Sequence, residues 1–242
     1  MVKSADSANK ATSDPAKPKV AVAKRSAKAS KATSSFPVIG IGASAGGLTA
    51  VTQLLKHLPA RIGMAVVVIQ HLDPKHGSLT AEILSRISPM PVAEVKDGTR
   101  IQPDNVYVIP PNYNLRLSKG VLKLSPRLEA RQHLPIDLFF QSLADEKKDE
   151  AIGVVLSGIA SDGTLGLKAI KSEDGLTFAQ DPKTAQYDGM PRSAILSGAV
   201  DIVASPQGIA EEIGRISRLY PFQQGVSTAA AQSGALASAG DS

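Results

Sequence analysis

The stretch PVIGIGASAGGLTAV, Pro37 to Val51, decides the fold, because an apolar run passes there through a glycine-rich turn into a helical pattern. Two motifs overlap in it. Gly40-x-Gly42-x-x-Ala45 fits a dinucleotide-binding turn if alanine stands for the third glycine. Gly42-x-Ser44-x-Gly46 fits a nucleophile elbow, in which a sharp strand-to-helix turn exposes a hydroxyl. The first would cradle a phosphate and the second would present a serine.

Working outward, the same alternation recurs. FPVIGIGA reads as a buried strand, and GGLTAVTQLLKHL as a helix with Leu48, Val51, Leu54, Leu55 and Leu58 at helical spacing. GMAVVVIQ is a second buried strand, and GSLTAEILSRI a helix with Ser78 as its N-cap. NVYVIPP reads as a strand end, and NLRLSKGVLKLS as a hairpin around Lys119-Gly120. LPIDLFFQSLADEKK is a helix opened by Pro135 and Asp137, and EAIGVVLSGI a third buried strand. TLGLKAIKSE, MPRSAILSG and PQGIAEEIGRISRLY read as helices, and LTFAQ and AVDIVA as short strands. Near-continuous β-branched runs separated by amphipathic helices imply an α/β fold: a doubly wound, mostly parallel sheet with helices on both faces and a small antiparallel hairpin.

Charge divides the chain into three parts. Residues 1–35 carry a net +6, the last twenty residues −1, and the body from Phe36 to Phe222 is neutral, so the basic balance belongs to the N-terminal tail. That tail is rich in Ala, Lys, Ser and Pro, has no apolar period, and is expected to be disordered. No aromatic residue is interleaved with its lysines for base stacking, so nucleic acid is not the expected partner. Residues 36–222 are expected to form one domain and 223–242 a second low-complexity tail. The body is apolar enough for a core, at 43% over the whole chain. The absence of cysteine excludes disulfides, thiolate metal sites and cysteine nucleophiles. No apolar run reaches the roughly 18 residues of a membrane span, and no secretory signal opens the chain, so a cytoplasmic protein is expected.

Ligands of such sheets sit beyond the carboxyl ends of the strands. Ser44 follows the first strand, His71 the second, and Asp162 the strand AIGVVLSGI. A hydroxyl, an imidazole and a carboxylate on one edge are the parts of an acyl-transfer triad, whose chain order carries no chemistry. Each has an alternative role: Ser44 as a helix cap, His71 as a loop histidine, Asp162 as an Asx-turn or a cap on the next helix. The oxyanion would meet backbone N–H groups at Ala45 and Ile159, with Gly46 and Gly47 keeping the turn open. YDGMP, Tyr187 to Pro191 and so including Met190, shapes the substrate groove or simply starts a helix. His57 ends a helix, and His76 and His133 fall in loops. His71, Asp73 and His76 could ligate a metal, but Pro74 bends the segment and no further ligand cluster appears, so no metal and no cofactor are expected. The dinucleotide reading needs an acidic residue at the end of the second strand, which instead runs Ile69-Gln70-His71.

VIGIGASAGGL, VVVIQHLDP, GVVLSGIASDGTLGLKAIK, GLTFAQD and YDGMPRSAI, in this order, resemble the catalytic domain of the CheB-type chemotaxis receptor methylesterases. The resemblance runs from about Phe36 to Tyr220 and is strongest to the methylesterase domains of methylesterase–methyltransferase fusion proteins. It implies Ser44, His71 and Asp162 as the triad. It also implies hydrolysis of glutamyl γ-methyl esters, and deamidation of glutamines, on the cytoplasmic helices of methyl-accepting receptors, with a methyltransferase as a further partner. A non-catalytic docking module is the alternative. The chain departs from the family pattern in three places. A low-complexity segment stands where better-known members carry a phospho-acceptor domain, so control by phosphorylation in cis is not expected. Gly158-Ile159-Ala160 stands for the typical Gly-Met-Gly. IPPNYNLRL lacks a histidine that many members have in that loop.

Overall fold

In the computed structural model the residues described are 35–70, 78–127 and 134–219. The expected tails, the segment holding His71, Asp73 and His76, and His133 therefore lie outside them, as does the side chain of Ser78.

Among the described residues seven strands form one parallel sheet: β1 (Val38–Ala43), β2 (Ala65–Gln70), β3 (Val92–Glu94), β5 (Val106–Val108), β8 (Ala151–Val155), β9 (Leu176–Gln180) and β10 (Ile202–Ala204). Their order is β10-β9-β8-β1-β2-β5-β3. A second, antiparallel sheet has the order β4-β7-β6, from β4 (Thr99–Arg100), β6 (Tyr113–Ser118) and β7 (Val121–Pro126). The expected hairpin is β6–β7. It turns at Lys119 and Gly120 with φ 53° and 70°, the paired positive φ of a turn whose twist suits a hairpin. The sequence reading lacked β3 and β4. With three and two residues, neither is long enough to show a period.

The helices α1 (Gly47–His57), α2 (Ser78–Ser85), α3 (Pro135–Lys147), α4 (Thr164–Ser172), α5 (Gly189–Leu196) and α6 (Pro206–Leu219) cover both faces, which is why the central strands are apolar without alternation. Ile39, Ile41, Val66, Val68 and Val154 pack with Val51, Leu54 and Leu55 of α1 and Ile209 and Ile213 of α6. On the opposite face Val67, Ile69 and Val155 pack with Phe139, Phe140 and Leu143 of α3, Leu167 and Ile170 of α4, and Leu115 and Leu122 of the small sheet. Fully burying each such Leu, Ile or Phe contributes roughly 1.5–3 kcal/mol.

Connections from β1 run toward β2, and those from β8 run toward β9. β1 pairs with both β2 and β8, so the order of winding reverses between β1 and β8. A crevice opens at such a reversal, beyond the carboxyl ends of the two strands.

Candidate active site

Ser44 is the first residue past β1 and stands at that reversal. Its carbonyl accepts the Gly47 N–H at 2.8 Å, closing a turn over Ser44–Gly47. Gly46 occupies the third position at φ 68°, ψ 0°, the left-handed conformation that a type II turn demands there and that glycine adopts without strain. The chain enters α1 at once, so the positive end of that helix dipole lies against the turn. Ser44 is partly buried.

The glycines ahead of the turn serve packing. A Cβ on Gly40 would stand 2.8 Å from Phe140 Cε1, and one on Gly42 would stand 2.3 Å from Ile136 Cγ2. Both belong to α3, which crosses this face of β1 so closely that only hydrogen fits. The Gly40-x-Gly42 pattern therefore reflects helix-on-strand contact. The strand that would carry the ribose acid ends in Gln70, a neutral residue that is itself buried.

Ile136 also ties this strand to Asp162. Its side chain lies over Gly42, and its N–H donates to Asp162 Oδ2 at 3.1 Å. The Asp137 N–H donates to Asp162 Oδ1 at 2.9 Å. Asp162, 2% exposed, thus takes two of the N–H groups that the first turn of α3 leaves without helical partners. The N-cap position of α4 is Gly163, at φ 93°, and the bonds that Asp162 accepts from the α3 N–H groups make it a tertiary cap on that helix. Arg127 lies near enough to feel its charge: burial pushes the guanidinium pKa down, and Asp162 pulls it back up.

The loop after β8, which leads on to Asp162, lies against Ser44. Ser157 C=O accepts the Ser44 N–H at 3.0 Å, and a Cβ on Gly158 would lie 2.9 Å from Ser44 Cβ. Gly158 is held from both sides, donating to Tyr187 C=O and accepting from Met190 N–H, each at 2.9 Å. Met190 is fully buried, with Sδ 2.1 Å from where a Gly158 Cβ would stand, so it supports this loop from beneath. Ile159 is 60% exposed and Ala160 sits at φ 70°. Among the described residues no acceptor takes the N–H of Ala45 or of Ile159, the two groups expected to meet an oxyanion. The sequence reading missed Ser157, in the loop after β8, and Gln180, the last residue of β9, both of them buried. A polar residue closing an apolar run was the only signal.

His71 lies outside the described residues. It follows Gln70, which is in register with Ala43, the residue before Ser44. Among the described residues no group of three or more His, Asp or Glu could hold a metal ion, and no helix is long and apolar enough to cross a membrane.

The chain matches the model of the CheB methylesterase family over residues 39–213. It belongs to the CheB methylesterase family. A protein-glutamate methylesterase/protein-glutamine glutaminase of Burkholderia pseudomallei is 41% identical over 179 residues, 73% of this chain and 52% of that protein. A putative enzyme of the same description from Leptospira interrogans is 36% identical over 186 residues, 76% of this chain and 96% of its own. The chain thus spans about half the length of its Burkholderia relatives and nearly all of the Leptospira one. The crystal structure of the Thermotoga maritima CheB methylesterase catalytic domain superposes with a TM-score of 0.70 at 29% identity, covering 75% of this chain and 99% of that one. The parallel sheet with its small antiparallel companion is the CheB catalytic fold.

Proposed function

We propose that the chain hydrolyses glutamyl γ-methyl esters on the cytoplasmic helices of methyl-accepting receptors, by way of an acyl-enzyme on Ser44. The observation that carries this reading is the seating of Ser44 on a tight turn at the winding reversal, against the loop that leads from β8 to Asp162. Family membership supports the substrate class.

Neutral His71 takes the Ser44 proton as Oγ attacks the ester carbonyl, and the oxyanion meets the Ala45 and Ile159 N–H groups beside the α1 N-terminus. The carbonyl re-forms as the C–O bond to methoxide breaks, and the imidazolium protonates the departing oxygen to give methanol. Water, deprotonated by His71, then cleaves the acyl ester to glutamate and restores Ser44. Asp162, held by two α3 N–H groups, keeps its carboxylate placed to orient the imidazole and balance its charge. A glutamine side chain would pass through the same steps and release ammonia. Metal or cofactor plays no part in this reading.

The test is methanol release from methylated receptor membranes. Ser44→Ala should lower turnover by about 10⁴-fold or more while its melting midpoint stays near that of the wild type. It should also lose labelling by a fluorophosphonate. Wild-type turnover in Ser44→Ala would exclude the serine mechanism. An unlabelled, inactive wild-type protein would favour a docking module.

A further inference from the structure

We propose that Ser157 is a positioning residue that aims the Ala45 N–H at the oxyanion, with Gln180 as its anchor. The inference rests on the serine-esterase reading of the site.

The peptide between Ser44 and Ala45 carries the Ser44 carbonyl and the Ala45 N–H, which point opposite ways in a trans peptide. The carbonyl is turned inward onto Gly47 N–H at 2.8 Å, so the Ala45 N–H faces out of the turn. Both neighbouring peptides are tied to Ser157. Its carbonyl accepts the Ser44 N–H at 3.0 Å, and its Oγ donates to the Ala45 carbonyl at 2.9 Å. The outward peptide is thereby fixed on either side by one residue. The second hydroxyl contact sets the other wall, because Oγ accepts the Tyr187 N–H at 3.0 Å. The single hydroxyl proton goes to Ala45 O, since Tyr187 O is farther at 3.3 Å.

Ser157 is itself immobilised. It is 1% exposed, and its N–H donates at 2.9 Å to Oε1 of Gln180, which is 2% exposed at the end of β9. Gln180 Nε2 donates onward to Thr184 Oγ1 at 3.2 Å. The bracket therefore runs from the end of β9 through the loop after β8 to the turn after β1. Without the hydroxyl, the Ala45 carbonyl loses the partner that holds it, the turn loosens about Ala45, and the N–H of that residue is held less firmly on the oxyanion. Donors of this kind act only if placed in advance, and losing one costs about 10²–10³ in kcat. Misaiming one should cost less.

The experiment compares wild type, Ser157→Ala, Ser157→Thr and Ser44→Ala on methylated receptor membranes. Ser157→Ala should lower kcat roughly 10- to 100-fold, leave KM within about twofold and leave the pH midpoint of kcat/KM unmoved, because the base is untouched. Ser157→Thr, which keeps the hydroxyl, should recover most of the loss. Ser157→Ala should still be labelled at Ser44 by a fluorophosphonate, more slowly than wild type. If Ser157→Ala does not fold, Ser157→Cys, with a weaker donor of similar size, carries the same expectation. A kcat within threefold of wild type in the alanine or cysteine variant would overturn the role, as would a loss residing in KM. Wild-type turnover in Ser44→Ala would overturn the underlying reading together with this one, and so marks that failure apart.

Discussion

The departure at Ala160 has a specific conformational cost. Where the family's typical pattern has glycine, this chain places alanine at φ 70°. An L residue there is crowded by its own Cβ, at a cost of about 1 kcal/mol or more. The loop accepts it because Gly158 beside it is held by Tyr187 and Met190, and because the Ser193 hydroxyl donates to Ala160 O at 3.3 Å. Ala160→Gly removes the strain but adds unfolded-state entropy worth about 0.4–1 kcal/mol. The two nearly cancel or leave a gain. The melting midpoint should hold or rise by about 1–3 °C, whereas an alanine-to-glycine change within a helix or strand loses about 0.5–1 kcal/mol. Calorimetry decides, and a fall of more than about 2 °C would show that position 160 is not strained. Substitution of alanine for glycine is visible in the sequence; its positive φ is not, because φ there depends on how the loop is pinned to α5.

At the scale of elements, α3 and α4 meet through a buried acid. Asp137, 4% exposed in the first turn of α3, accepts the Gly166 N–H at 2.7 Å from the first turn of α4. Burial pushes its pKa up, the α4 N–H groups pull it down, and the neighbouring Asp162 charge pushes it up again, leaving it above the usual range. A carboxyl that binds its proton more tightly folded than unfolded makes stability fall as pH rises from the unfolded value, about 3.9, through the folded one. Asp137→Asn keeps an acceptor for Gly166 and removes that titration. In urea unfolding, the stability of Asp137→Asn relative to wild type should therefore improve as pH is raised from about 4 and level off above the folded pKa; a relative stability that declines instead would contradict the raised value. The helices themselves were legible: Pro135 and Asp137 mark the start of α3, and the apolar spacing of α1 and α6 places their buried faces. Contacts between elements were not. The approach of Ile136 to Gly42, which accounts for half of the overlapping motif, exists only once α3 crosses β1, and nothing local to either segment records it.

For the whole molecule, one arrangement serves both stability and site. Ser44, the proposed nucleophile, directly follows β1, and the central strands are also the best-supported part of the fold. β1 is hydrogen-bonded on both sides, and the six residues of β1, the six of β2 and the five of β8 are all buried between helical layers. The margins differ. Among the described residues β3 pairs only with β5 and β10 only with β9, each has three residues, and Val203 is 46% exposed. Stability in a folded chain is distributed in this way, with edges opening at lower free energy than the centre. The parallel β-α-β pattern was legible in the sequence, but the order of strands was not: the central place of β1, β2 and β8 and the outward positions of β3 and β10 come from their pairing. Amides of 38–43, 65–70 and 151–155 should therefore exchange with deuterium only through global unfolding, with protection that tracks the free energy from urea titration. Amides of 92–94 and 202–204 should exchange at least tenfold faster, a gap of about 1.4 kcal/mol or more. Mass-spectrometric exchange on the wild-type chain measures both sets together. Equal protection across centre and edges would mean that the sheet opens as one unit, and a central strand exchanging as fast as β10 would mean that the turn bearing Ser44 is not seated on the most stable part of the fold.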